Sequence, residues 1–213
     1  MDAIERAEGY RLVAAGLRYP SDPDLAELFA EMAEAPGELR AFSDLGTLVD
    51  DALPGEYNRL FATSVAVSPY ESSYVRIDKG ATVGQLAALY GAFGMKVSQA
   101  EHEIPDHAGV EAEFMAMLAL MEGLALHEGR TEDHAVLARA REVFAREHLG
   151  RWFVRFGTLV AERADHPFYT RLGQLAAAWV AADMEDHGWN AEPVLPPLPD
   201  DAEECIKCPV GAG

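Results

Sequence analysis

The chain has 213 residues, 49% of them hydrophobic, and 36 acidic against 17 basic side chains give a net charge of −19. A chain of this length buries a core without disulfide or metal staples, and its charge repels the phosphates of nucleic acid and anionic lipid while attracting basic partners. The two cysteines, Cys205 and Cys208, both fall in the last nine residues, which excludes a disulfide framework for the body of the fold.

Apolar residues recur at helical steps almost from the start. Ile4, Leu12, Val13 and Leu17 predict a first helix, ended by Tyr19-Pro20 because proline disfavours helical geometry in the residue before it. Ser21 or Asp22 is the expected cap of a second helix with the face Leu25, Leu28, Phe29 and Met32. A third helix is predicted over Leu39 to Val49, a short fourth over Glu56 to Phe61, and a long structured loop over Val65 to Ile77. The next helix, Val83 to Phe93, closes on Gly94, a residue that tolerates the left-handed geometry of a helix end.

Pro105 to Glu128 is predicted as the longest helix, and its wide apolar stripe from Val110 to Leu126 implies burial on more than one side. Another helix starts at Thr131, where Glu132 and Asp133 suit the positive end of the dipole. Trp152, Phe153, Phe156, Leu159 and Val160 mark the next, and Phe168, Leu172, Leu175, Trp179 and Met184 mark a last one running toward Gly188. No β-branched run of period two predicts a strand. Four prolines between 193 and 199 then make an extended linker, followed by acidic pairs and Cys205-Ile206-Lys207-Cys208. The reading is an all-α protein: a single globular helical bundle over 1–190 and a flexible, Pro-rich acidic tail over 191–213.

Charges at Asp2, Glu5, Arg6, Glu8, Arg11 and Arg18 leave no apolar segment of the export-signal kind, and no run reaches the ~18 apolar residues of a membrane span. A cytoplasmic protein is expected. Neither a Gly-Lys-Ser/Thr phosphate loop nor a Gly-x-Ser-x-Gly elbow occurs in the sequence.

The densest cluster of distinctive residues lies between Tyr57 and Phe114. Tyr57-Asn58-Arg59-Leu60-Phe61 reads as one helical turn, with Leu60 and Phe61 suited to a core and Arg59 suited to anchoring a carboxylate, for which Glu71 is the expected partner. Pro69-Tyr70-Glu71-Ser72-Ser73-Tyr74 combines aromatic and hydroxyl side chains, as adaptable recognition loops do, although a connecting loop of the interior has the same composition. Pro105-Asp106-His107 opens the long helix, with Pro expected at its first position and Asp106 in its first turn. His102, His107 and Glu111 lack the spacing of a metal signature, and Cys205 with Cys208 supplies only half of a tetrahedral site.

Those three segments, with Asp78-Lys79-Gly80, resemble the TorD/DmsD/NarJ family of redox-enzyme maturation chaperones. The resemblance runs over roughly residues 10 to 185 and is strongest to the delta-subunit chaperones of type II dimethyl-sulfoxide-reductase-like molybdoenzymes. It implies a TorD/DmsD-like bundle that binds the apo catalytic subunit of a molybdopterin-dependent oxidoreductase, its twin-arginine leader, or both, and assists cofactor insertion before export. By this resemblance the client- and leader-binding residues are Tyr57, Arg59, Phe61, Tyr70, Glu71, Ser72, Tyr74, Asp106, His107 and Glu111. No catalytic residue, cofactor or metal is expected, no nucleic acid or membrane partner, and either a monomer or a homodimer. A leader pairs basic residues with an apolar run, so its receptor should combine an apolar groove with acidic side chains. Two other readings stay open: a metal carrier using Cys205 and Cys208, and a small enzyme with a His107-centred pocket.

Overall fold

In the computed structural model, Asp2 starts the first helix, α1 (Ala3–Gly16), because its carboxylate accepts the N–H groups of Ile4 and Glu5 at 2.9 and 2.8 Å. Residues 2–75, 79–96 and 104–192 are described by the structure. Asp78, His102, the Pro-rich linker and the Cys205/Cys208 pair lie outside them.

The chain continues through α2 (Leu25–Ala30), α3 (Ser43–Gly46), α4 (Leu53–Tyr57), α5 (Lys79–Ala92), α6 (Ala108–His127), α7 (Thr131–Phe144), α8 (Gly150–Arg163) and α9 (Pro167–Asp186). Helix α1 packs on α6 and α9, α6 packs on α7, and α8 packs on α9. The α8–α9 crossing is so close that a Cβ on Gly157 would sit 2.8 Å from the Gly173 carbonyl oxygen, and one on Gly173 would sit 2.5 Å from that of Gly157. Only glycine at both positions lets the two backbones meet. At the α5–α6–α7 junction, Phe114 meets Tyr90 and Phe144 at ring separations of 4.6 and 4.9 Å. All three are buried, and truncating such a ring to Ala typically costs about 3–5 kcal/mol.

Helical periodicity therefore identified the long elements, while short-range geometry redrew several boundaries. The predicted third helix over Leu39 to Val49 is instead a 3-10 turn, Gly37–Phe42, followed by the single turn of α3. Helix α2 gives way to a 3-10 turn at Glu31–Glu34, and its cap position is Asp24; the Asp22 carboxylate accepts the Asp24 N–H instead of capping the helix. The helix expected from Pro105 begins at Ala108, because the His107 ring takes the cap position and its Nδ1 accepts the Gly109 N–H at 3.1 Å. Helix α9, with 20 residues, equals α6 in length. Between Phe144 and Gly150 the helical path never breaks: a π turn, Ala145–Leu149, joins α7 to α8. A second π turn, Asn58–Ala62, extends α4. Among the described residues the only extended pairing is a single antiparallel bridge between Tyr70 and His107, and no helix is long and apolar enough to cross a membrane.

Candidate functional site

A cleft of about 420 Å³ opens where the end of α1 and the loop after it meet Tyr57, Tyr70 and His107. Each wall has a local cause. Helix α1 ends at Gly16, before the expected Tyr19-Pro20 stop, and the segment that follows it places Arg18, Tyr19 and Asp22 along one side with Leu25. Tyr57 ends α4 and packs edge to face on Tyr19 at 5.3 Å and on Phe61 at 5.2 Å. Tyr70 is held by the bridge to His107: the Glu71 N–H donates to the Asp106 carbonyl at 2.9 Å, and the Ala108 N–H donates to the Pro69 carbonyl at 2.8 Å. The Tyr70 and His107 rings meet edge to face at 5.5 Å, and the Lys79 ammonium stands 5.2 Å over the Tyr70 ring. Arg18, a lining residue, pairs with Glu113 at 2.6 Å.

Behind this aromatic wall lies a buried acidic cluster. Glu71, Asp106 and Glu111 are each at most 1% exposed. Trp152 donates its indole N–H to Glu111 Oε2 at 3.1 Å, and His148, carried by the 145–149 π turn, reaches Glu71 Oε2 at 3.0 Å. Burial, and then the neighbouring Glu71 charge, push the Glu111 carboxyl well above the usual carboxylate range, so its protonated form is favoured. A side-chain hydrogen bond to Glu71 works in the same direction, because two carboxyl groups can share one only if a proton lies between them. Burial also lowers His107 to about 4, against a weaker opposing pull from Asp106. The ring is therefore neutral near pH 7, as its accepting Nδ1 requires.

The structure separates the predicted site residues into three groups. Tyr57, Tyr70 and His107 line the cleft. Phe61, Glu71, Asp106 and Glu111 are buried beneath it, with Ser72 donating its backbone N–H to Asp106 Oδ2 at 3.3 Å, and the Tyr74 ring lying 5.1 Å from Trp152. Arg59 stands apart. Its expected partner Glu71 is a correction: Arg59 donates to both oxygens of Glu56 at 2.7 and 2.8 Å and to the Arg163 carbonyl at 2.7 Å. The same Glu56 accepts the Asp165 N–H, so Arg59 braces the 58–62 turn against the α8–α9 junction. Glu56 is one helical turn away from Arg59 and already buried, whereas Glu71 is claimed by His148. Sequence reasoning missed Arg18, Tyr19, Asp22 and Leu25. The Tyr19-Pro20 pair was the available signal, since proline keeps the chain after α1 out of helical geometry and Tyr19 is left 48% exposed there.

An all-helical chain with an aromatic cleft backed by this acidic cluster now has relatives to compare. The family model described as nitrate reductase delta subunit matches residues 22–157, and the chain belongs to that family. The selenate reductase assembly chaperone of Thauera selenatis is 31% identical over 155 residues, which span 70% of this chain and 74% of the relative. The chlorate reductase assembly chaperone of Ideonella dechloratans is 33% identical over 111 residues, 50% of this chain and 56% of the relative. The chaperone TorD of Vibrio cholerae serotype O1 is 29% identical over 119 residues, 54% and 52% of the two chains. The last two matches thus span about half of those relatives.

Proposed function

We propose that this chain is a system-specific chaperone that holds the apo catalytic subunit of a molybdopterin-dependent oxidoreductase, with its twin-arginine leader, in the cytoplasm until cofactor insertion is complete. It holds its client and converts no substrate. The observation that carries this reading is a coincidence: the family match over 22–157 includes Tyr57, Tyr70 and His107, the motif residues that line the cleft. The cleft's chemistry supports it. Tyr19, Tyr57, Tyr70 and Leu25 offer apolar surface to a leader's hydrophobic run, and Asp22 offers a carboxylate to its arginines. Asp106, Glu71 and Glu111 take part from behind, by fixing Tyr70 and His107 in place.

The test is a titration of the full chain with a synthetic leader carrying two arginines ahead of an apolar run. Tyr70→Ala and Asp22→Asn should each weaken binding by about tenfold, the loss of about 1.4 kcal/mol, with little change in melting temperature. Unchanged affinity in both would remove the cleft from the site.

A further inference from the structure

A second concavity, of about 400 Å³, lies where the first turn of α1, the 37–42 turn and the later half of α9 meet, and it shares no lining residue with the cleft. Its floor is aromatic: Phe42 and Trp179 meet edge to face at 5.6 Å. Small residues, Ala178 and Ala182 among them, keep the walls low. Carboxylates form the rim. Glu5, Glu38 and Asp186 line the slot, and no Lys or Arg does among the described residues. At Gly37, whose φ is +59°, a Cβ would overlap the Glu5 carboxylate, so a side chain there would displace the rim. An independent feature points the same way. Trp179 is only 4% exposed, and its indole N–H has no hydrogen-bond partner among the described residues, an uncommon condition for a buried donor.

We propose that this slot docks a basic, apolar-anchored peptide segment. One aromatic or aliphatic side chain enters against Leu175, Ala178 and Ala182, above the buried Phe42 and Trp179, and flanking arginines or lysines face Glu5 and Glu38. A single small organic cation fits less well, because a space of about 400 Å³ is larger than one cationic group fills and part of its lining is apolar. Nucleic acid and anionic lipid meet the wrong sign of charge. The slot is a surface separate from the cleft, and its occupancy does not depend on what fills the cleft.

The probe is the blocked peptide Arg-Leu-Arg-Phe-Arg, titrated against the full chain by tryptophan fluorescence and mapped by hydrogen exchange. Expected are protection at residues 37–42 and 175–186, affinity that falls as salt rises, and about tenfold weaker binding when Gly replaces Leu and Phe. Ala178 and Glu38 are exposed, so Ala178→Arg and Glu38→Lys leave the core alone. Each should weaken the peptide by about fivefold or more with an unshifted melting temperature. Protection confined to the cleft, equal binding of the glycine peptide, or full affinity in both variants would overturn the proposal.

Discussion

Two buried polar clusters hold this molecule, and they are built on opposite terms. Beneath the cleft, Glu71, Asp106 and Glu111 put three carboxyl groups in one place, with Glu111 and Glu71 hydrogen-bonded to each other and Asp106 Oδ1 left without a partner among the described residues. On the other side of α1, opposite charges meet. Asp183 of α9 accepts from Arg6 Nε at 2.5 Å and from the Tyr10 hydroxyl at 3.0 Å. Arg141 of α7 donates to His187 Nε2 at 2.6 Å, which requires the hydrogen on His187 Nδ1 that is donated to the Asp183 carbonyl. Arg141 Nη1 also stands 2.8 Å from Glu122 Oε2, at an angle too poor for a hydrogen bond, so that contact is electrostatic. The paired cluster joins α1, α6, α7 and α9. The acidic one joins a loop to the N-terminal end of α6 and the start of α8. Opposite charges tie the scaffold helices together, whereas beneath the cleft like groups are held side by side by protonation of Glu111 and by the His148 and Trp152 contacts.

The largest effect should come from breaking the paired cluster. Asp183→Ala strands Arg6 in the interior and should cost about 3–5 kcal/mol in a denaturant melt. A cost below about 1 kcal/mol would mean that the cluster relaxes toward water and is no staple.

The acidic cluster should reveal itself through pH. His107 titrates at about 4 in the folded chain against 6.5 normally, so the unfolded chain takes up the proton first as pH falls. Its contribution is complete above pH 6.5 and is lost on descending toward pH 4, by about 3 kcal/mol. His107→Asn keeps a capping side chain and removes the titration, so wild type should lose about that much relative to the variant across this window. A parallel pH course for the two proteins would show His107 to be solvated.

Glu111 runs the other way. Its folded value is raised, so the unfolded chain releases the proton first, and stability falls as pH rises above the ordinary 4.5. Glu111→Gln mimics the protonated carboxyl and can still accept from Trp152. It should change stability by less than about 1 kcal/mol near pH 6 and flatten that slope. A loss of several kcal/mol would show that Glu111 is ionised in place.

The smallest effect sharpens the same contrast. Val65, next to the 58–62 turn, has φ +42°, a geometry strained for a β-branched side chain, and is 46% exposed. Val65→Gly should raise stability by up to about 1 kcal/mol, the relieved strain net of glycine's extra freedom when unfolded. A decrease would place Val65 in the packing of the fold.

The difference between the two clusters also explains what the sequence could convey. The periodic apolar faces of α1, α6, α8 and α9 were legible because burial imposes a 3.6-residue step on them. The motif residues of the cleft were legible as a group, but Glu71, Asp106 and Glu111 were read as presented to a client, since acidic side chains are rarely buried. Nothing local in Glu111 announces Trp152, 41 positions away. Arg59 failed for a different reason: its true partner lay three residues back, in the same helical turn, and was passed over for a distant one. The π turns have no residue signature at all, and without them neither His148 nor the brace at Arg59 can be placed.

The turn at Ala145–Leu149 acts as a phase shifter. A π turn accommodates one more residue than an α turn, so the face that follows is rotated by about 100° from where an uninterrupted helix would put it. Upstream the helix addresses α6, and downstream it addresses α9, with Trp152 and Phe156 turned inward. One continuous rod thereby serves two neighbours that lie in different directions. Chain length is consequently fixed within these five residues, though they are neither a loop nor a contact of the cleft: removing one would keep the helix and spin everything after it, carrying Trp152 away from Glu111 and Gly157 away from its crossing with Gly173.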